Sequence, residues 1–255
     1  MKIITWNLNS VRAREERLLG VLERHKPDAL CLQELKVVEG DFPTARVREL
    51  GYHAALFGQK TYNGVAILSR AEPEDVQRGL RDEVDDPQAR LVSARIDGVR
   101  VISVYVPNGG ELNSDKYVYK TNWLRRLRTY LQKHHQPDEK LVVCGDINIA
   151  PEEIDAARPD EWRDTVLFHP DMQAAMRELC SWGLFDGFRH CRPEAGLYSW
   201  WDYRMLGFPK GNGLRIDHIL VTKPLLGTCR NAEIDRNERK GKQPSDHAPV
   251  IVELG

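Results

Sequence analysis

Asn7, Glu34, Asp146, Asn148, Asp217, Asp246 and His247 stand in or beside apolar runs, at places where strands would deliver side chains to a sheet rim. The densest stretch is Leu141–Pro151, in which apolar residues run into Gly145 and are followed by Asp146 and Asn148, two apart. The short run and its turn-forming end predict a buried strand. If the chain stays extended past Gly145, Asp146 and Asn148 share one side and Ile147 takes the other. A carboxylate and a carboxamide at the mouth of a buried strand carry a desolvation cost unless something uses them. Both are also ordinary turn residues, so the segment alone leaves two readings open.

The company of the other strand ends decides between them. There is no activated Ser or Cys motif and no Gly-rich phosphate loop. Oxygen ligands with few nitrogens suit Mg²⁺ or Mn²⁺, which bind through one or two carboxylates, waters and a substrate phosphate. Clustered acids repel a phosphate unless a cation lies between them. With the cation, the same cluster becomes a phosphodiester hydrolysis site. Asp217 falls inside the apolar run Leu214–Val221, expected as a strand, and a charge there needs a partner. His247 is the natural one, the carboxylate fixing its tautomer.

Several elements must bring these residues together. Ile3–Trp6 reads as a strand, Ser10 as the cap of a helix striped by Val11, Leu18, Leu19 and Leu22, and Ala29–Leu32 as a second strand. Such a βαβ unit makes the strands parallel and sends Asn7 and Glu34 to one rim, where open α/β sheets place ligands. Gly64–Ser69 is a further strand. Leu91–Ile96 and Val99–Val106 flank Asp97-Gly98, a hairpin signal that makes the sheet mixed. Tyr105 ends that hairpin; by residue type it is a packing residue. Helices are expected over about 115–132 and 172–182. On the first, Lys116, Lys120, Arg125, Arg126 and Arg128 read as a solvated basic face.

The totals set bounds. A chain of 255 residues with ordinary apolar content holds a large core, and no linker or repeat divides it, so a single domain over 1–255 is expected. Net charge is −1, so any nucleic-acid partner must be met by a local face. Five scattered cysteines give neither a disulfide framework nor a zinc pattern. The opening residues are too polar and their apolar run too short to be expected as a signal peptide, no apolar run approaches membrane-spanning length, and a cytoplasmic monomer is expected.

Asn7, Gln33-Glu34, Tyr105-Val106-Pro107-Asn108-Gly109, Gly145-Asp146-Ile147-Asn148, Leu214-Arg215-Ile216-Asp217 and Ser245-Asp246-His247 occur in an order that resembles the exonuclease III type of AP (abasic-site) endonucleases. Lys60–Ala66 and Trp200–Arg204 resemble the DNA-repair branch rather than the wider superfamily. The resemblance spans essentially the whole chain. It implies a DNase I-like, four-layer α/β sandwich: two mixed β-sheets face to face with helices outside. It further implies Mg²⁺ (or Mn²⁺) on Glu34 with Asn7 and Asp246 close by. Asp146 would orient or deprotonate water, Asn148 would help position it, and Tyr105 would lie by the phosphate or leaving group. His247, held by Asp217, would contact the scissile phosphate. Sequence leaves Asp146 and His247 both eligible as general base, with Asp146 preferred because an imidazolium suits charge stabilisation.

Trp200 and Leu214 would wall a pocket for an extruded abasic deoxyribose, plain core packing being the other reading. Tyr62 and Asn108 would contact the backbone of duplex DNA containing abasic sites. The implied reaction is cleavage 5′ to such sites, with 3′–5′ exonuclease or 3′-phosphodiesterase activity beside it. The rivals are an inositol-phosphate or lipid phosphodiesterase or phosphatase, and a non-catalytic DNA-binding relative. Three departures stand out: Asn9 in place of a second acid, Glu111 in place of a duplex-entering arginine, and Met172-Gln173 in place of Glu-Arg.

Overall fold

The computed structural model describes residues 1–204 and 206–255. Strands β1 (Lys2–Asn7), β2 (Ala29–Gln33), β3 (His53–Phe57) and β4 (Val65–Ser69) open the chain. The middle supplies β5 (Glu74–Arg78), β6 (Leu91–Ile96), β7 (Val99–Tyr105), β8 (Leu141–Asp146), β9 (Leu184–Asp186) and β10 (Asp217–Thr222), and β11 (Cys229–Ile234) and β12 (Val250–Leu254) close it. They form two six-stranded sheets, ordered β11-β12-β1-β2-β4-β3 and β5-β6-β7-β8-β10-β9.

Alternation along the central strands builds the layers. Ile3, Cys31 and Ile67 of the first sheet meet Val101, Val142, Cys144 and Ile219 of the second in one inner core. The intervening residues face outward. Ile4, Leu30 and Leu32 pack with Leu18, Val21 and Leu22 of α1 (Val11–His25). Ile102, Val143 and Leu220 pack with Trp123, Leu127 and Leu131 of the long helix Asp115–His134 and with Met172 and Met176 of the helix Pro170–Cys180. Three cores between four layers give the α/β sandwich that the resemblance implied.

Each sheet contains one parallel pair, and these two pairs make the site. In β1 and β2, Asn7 pairs with Gln33, so Glu34 follows directly at the same rim. In β7 and β8, Tyr105 pairs with Asp146. Strand β10 runs antiparallel to β8 and places Asp217 opposite Asp146. Because β12 is antiparallel to β1, with Val250 opposite Thr5, the segment Ser245–Pro249 enters from that rim as well.

Some expectations needed correction. Ser10 makes no side-chain cap; it has φ 96°, and its N–H instead donates to the Glu34 carbonyl at 2.8 Å. Asp217 opens β10 rather than lying inside a strand, since Leu214 forms only isolated bridges to Ala156 and Trp200. The chain does not stay extended beyond β8: Asn148 has φ 55°, and its N–H turns back onto Asp146 Oδ1 at 2.9 Å. The second helix starts at Pro170, with the His169 side chain accepting the Asp171 N–H. Lys120 is fully buried, not on a solvated face. No described helix is long and apolar enough to cross a membrane.

Candidate active site

The rim gathers the expected acids and amides around Asn7. Its Nδ2 donates to Glu34 Oε1 at 2.8 Å and to Asp146 Oδ2 at 2.9 Å, while its Oδ1 accepts the Asn9 N–H. Asn9 Nδ2 donates to Asp246 Oδ1 at 2.9 Å, and Trp200 Nε1 donates to Asp246 Oδ2 at 3.0 Å. Asn9 thus joins Asp246 to the Glu34 side, where Lys36 Nζ lies 3.0 Å from Glu34 Oε2 and 2.5 Å from Asn9 Oδ1.

On the other flank His247 is held from all sides. Its Nδ1 lies 2.8 Å from Asp217 Oδ2 and its Nε2 3.7 Å from Asp146 Oδ2. Its N–H donates to Ser245 Oγ, and its carbonyl accepts Trp6 Nε1 at 3.1 Å. Ser199, unnoticed in the sequence, donates its hydroxyl to Asp217 Oδ2 at 2.6 Å and accepts the N–H groups of Ile216 and Asp217. Burial works against a charged imidazole, but Asp217, then Asp146 and Asp246, outweigh it and raise the His247 pKa to about 10. Burial raises Asp146 to about 7; His247 and the Asn7 hydrogen bond oppose the shift, while Asp217 and Glu34 add to it. For Asp246 burial is outweighed by His247, Trp200 and Asn9, and its carboxyl stays low. Tyr105 is pushed well above the usual phenol range by burial and by the Glu34 and Asp146 charges, so it holds its proton.

The donor set fits a hard divalent cation. Glu34, Asp246 and Asp146 crowd carboxylates against one ammonium and one imidazolium, and Asp146 cannot ionise freely without further positive charge. A tighter group, Asp146, Asp217 and His247, has ligand atoms within 4.8 Å of one another, but His247 spends Nδ1 on Asp217 and is itself the cation there. Glu34 and Asp246, with Asn7 spacing the carboxylates, are therefore the residues that could hold a divalent cation.

Asn148 accepts Asn108 Nδ2 at 3.1 Å and donates Nδ2 to the Val106 carbonyl at 3.0 Å, joining the ends of β7 and β8. Tyr62, 68 % exposed, and Asn108 line a cleft of about 470 Å³ that reaches Tyr105 and Arg90, whose guanidinium stacks 4.7 Å over the Tyr105 ring. Trp200 is half-buried and packs edge-on against Trp162 at 5.6 Å. Leu214 is fully buried in one cluster with Phe168, and Trp200 packs against that cluster. Lys36 and Ser199 carried one usable signal each: they sit two residues after Glu34 and one before Trp200.

Comparison with known proteins agrees with this geometry. The endonuclease/exonuclease/phosphatase family model matches residues 4–247. Exodeoxyribonuclease III of Haemophilus influenzae is 37 % identical over the whole of both chains. An AP endonuclease from Archaeoglobus fulgidus superimposes with a TM-score of 0.96 at 42 % identity, covering 100 % of this chain and 99 % of that one. The 3′ phosphatase NExo from Neisseria, solved with a product DNA hairpin, gives a TM-score of 0.96 at 41 % identity with the same coverage. The chain belongs to the endonuclease/exonuclease/phosphatase family, in its exonuclease III-type AP endonuclease branch.

Proposed function

We propose that the chain is a Mg²⁺-dependent DNA-repair phosphodiesterase that cuts duplex DNA 5′ to abasic sites and also processes 3′ ends. The observation that carries the reading is Asp146, a buried carboxylate set between the Asn7–Glu34 pair and His247, which Asp217 holds from its far side. Asp146 takes a proton from the attacking water, whose oxygen adds to phosphorus. The P–O3′ bond then breaks with its electron pair going to the departing 3′-oxygen, which takes a proton from solvent to become the 3′-hydroxyl, and the other product is a 5′-phosphate. His247, kept protonated by Asp217, donates to a phosphoryl oxygen and balances its charge. Tyr105, protonated at the end of β7, sits where it can donate to the phosphate or leaving oxygen. Glu34 and Asp246 would hold a divalent ion, which when bound would supply charge neutralisation at the phosphate.

A second reading, weighted toward 3′ ends, draws on Leu214 and Phe168, which are buried with Trp200 packed against them. Processing a 3′ end does not require a sugar to be extruded from the middle of a strand. The relative called a 3′ phosphatase supports the same emphasis.

One end-labelled duplex carrying an abasic analogue, compared with an undamaged duplex and a 3′-phosphate end, tests both. Mg²⁺-dependent incision 5′ to the analogue, stopped by EDTA, is the expected result. Equal cutting of undamaged duplex removes the lesion preference, and cleavage only at 3′ ends leaves the second reading. Phosphate release from inositol phosphates with no DNA cleavage would sink both.

A further inference from the structure

Lys120 is the least expected residue in the molecule. It lies on the helix Asp115–His134 with none of its surface exposed, and its ammonium donates to three backbone carbonyls: Asn148 at 2.7 Å, Val166 at 2.7 Å and Asn108 at 3.1 Å. Three hydrogens meet three acceptors, so the charge is held without water. Burial pushes its pKa down to about 7 against the pull of Asp146. A structural helix position would be filled more cheaply by leucine or methionine.

The acceptors belong to three separate segments. Asn148 is in the turn leaving β8, and its N–H donates to Asp146 Oδ1. Asn108 lies in the segment leaving β7 and bonds to the Asn148 side chain. Val166 begins the stretch Val166–Phe168, which packs with Leu214 against Trp200, and the Leu167 carbonyl accepts the Ala150 N–H at 2.8 Å. The lysine stem is fitted as closely as its head. Gly109 has φ +97°, and a Cβ there would lie 2.8 Å from Lys120 Cδ.

We infer that Lys120 is a positioning residue whose buried ammonium fixes the Asp146–Asn148 turn relative to the Val166–Phe168 wall, so that proton handling and sugar selection share one anchor. This rests on the function proposed above. Misplacing a reacting group by about 1 Å is enough to cost on the order of 10²-fold in rate. The Glu34–Asn7–Asp246 side receives no bond from Lys120 and is not set by it.

The test compares wild type, Lys120→Met and Gly109→Ala. Lys120→Met keeps the stem and removes the charge; Gly109→Ala keeps the charge and presses the loop off the stem. Two readouts are taken: kcat on the abasic duplex as a function of Mg²⁺ concentration, and amide hydrogen exchange followed by mass spectrometry. Both variants are expected to lose ~10- to 100-fold in kcat with an unchanged half-saturating Mg²⁺ concentration. Exchange should accelerate over 147–150 and 166–168 and stay unchanged over 7–9 and 34–36. Wild-type exchange and kcat in Lys120→Met would overturn the inference. So would faster exchange across the whole chain, or a raised Mg²⁺ requirement, since either makes Lys120 a general stability element. If Lys120→Met does not fold, Gly109→Ala decides the matter by the same criteria. Should wild type cut no DNA, the functional reading fails while the exchange comparison still judges the anchor.

Discussion

Asp146 Oδ2 and His247 Nε2 face each other across 3.7 Å, and the pair is charged as carboxylate and imidazolium between the two raised pKa values, about 7 and about 10. Asp217 is the largest of the charges that keep the imidazolium, and it overcomes the burial that works against it. Replacing Asp217 by Asn removes that charge and keeps the shape. The His247 midpoint, followed by NMR in metal-free protein, should then fall by at least ~1 pH unit. The alkaline limb of the pH–rate profile should move toward acid with it, because the proton that balances phosphate charge is lost earlier. A midpoint that stays put would show that Asp217 does not set the charge of His247.

Asp146→Asn and Glu34→Gln should each lower turnover by at least ~10²-fold, but with different signatures. Glu34 accepts from Asn7 and Lys36 and is proposed to hold the cation, so its loss should raise the Mg²⁺ concentration needed for half-maximal rate. Asp146 is proposed to handle the proton, so Asp146→Asn should depress kcat while leaving that concentration nearly unchanged. Titrating Mg²⁺ against rate separates them. Identical curves for the two variants would merge the roles.

How legible each element is in the sequence depends on where it lies in its sheet. All eight central strands have long apolar runs or a hairpin signal, and each can be read from them. The four strands that carry no such signal, β3, β5, β9 and β11, are the four sheet edges. Edge strands face water on one side and are kept short, so Glu74–Arg78 holds no buried pattern to detect, and His53–Phe57, apolar from Ala54 on, buries only Ala55 and Leu56, too short a run to mark a strand. The site is legible because parallel pairing sends strand ends to one rim. Lys120 misleads for an instructive reason: its i+3, i+4 and i+7 neighbours Trp123, Leu124 and Leu127 are all buried, so periodicity places it on the core face while its charge argues for water. Periodicity is the better guide.

Ser199 offers a smaller but sharper test. Two backbone N–H groups point at its oxygen, which orients its own hydrogen to Asp217 Oδ2, and Asp217 Oδ1 has no partner among the described residues. Ser199→Ala leaves those buried donors unpaired, a cost of about 1–3 kcal/mol in stability. Turnover should fall by roughly 10-fold through a less firmly held Asp217, and Ser199→Thr, which restores the hydroxyl, should recover most of it. Urea midpoints and kcat on the abasic duplex are the measurements. A Thr variant no better than Ala would mean that packing volume, not the hydroxyl, is what the position requires.

Behind the site a second charged group has no part in the chemistry and should govern acid stability. Arg215, fully buried, donates Nε to Asp155 Oδ1 at 2.7 Å and pairs with Asp186 Oδ2 at 2.8 Å, and Arg189 reaches Asp155 Oδ1 at 2.6 Å. Burial alone would raise the Asp155 carboxyl; Arg215 and then Arg189 reverse that and hold it below its ordinary value, and Asp186 is lowered against its burial by Arg215 and then His218. A lowered folded-state pKa means stability that is complete above the unfolded pKa and is lost as pH falls through the folded one. Wild type should therefore lose urea resistance below about pH 4. Asp155→Ala leaves Arg215 short of a buried partner and should cost about 3–5 kcal/mol at neutral pH. It should also flatten the decline on the acid side, because one of the carboxylates that drives it is gone. Urea midpoints from pH 3 to 8 check both claims, and an Asp155→Ala variant as stable as wild type at pH 7 with an undiminished acid slope would show that the network is not what ties this face of the second sheet together.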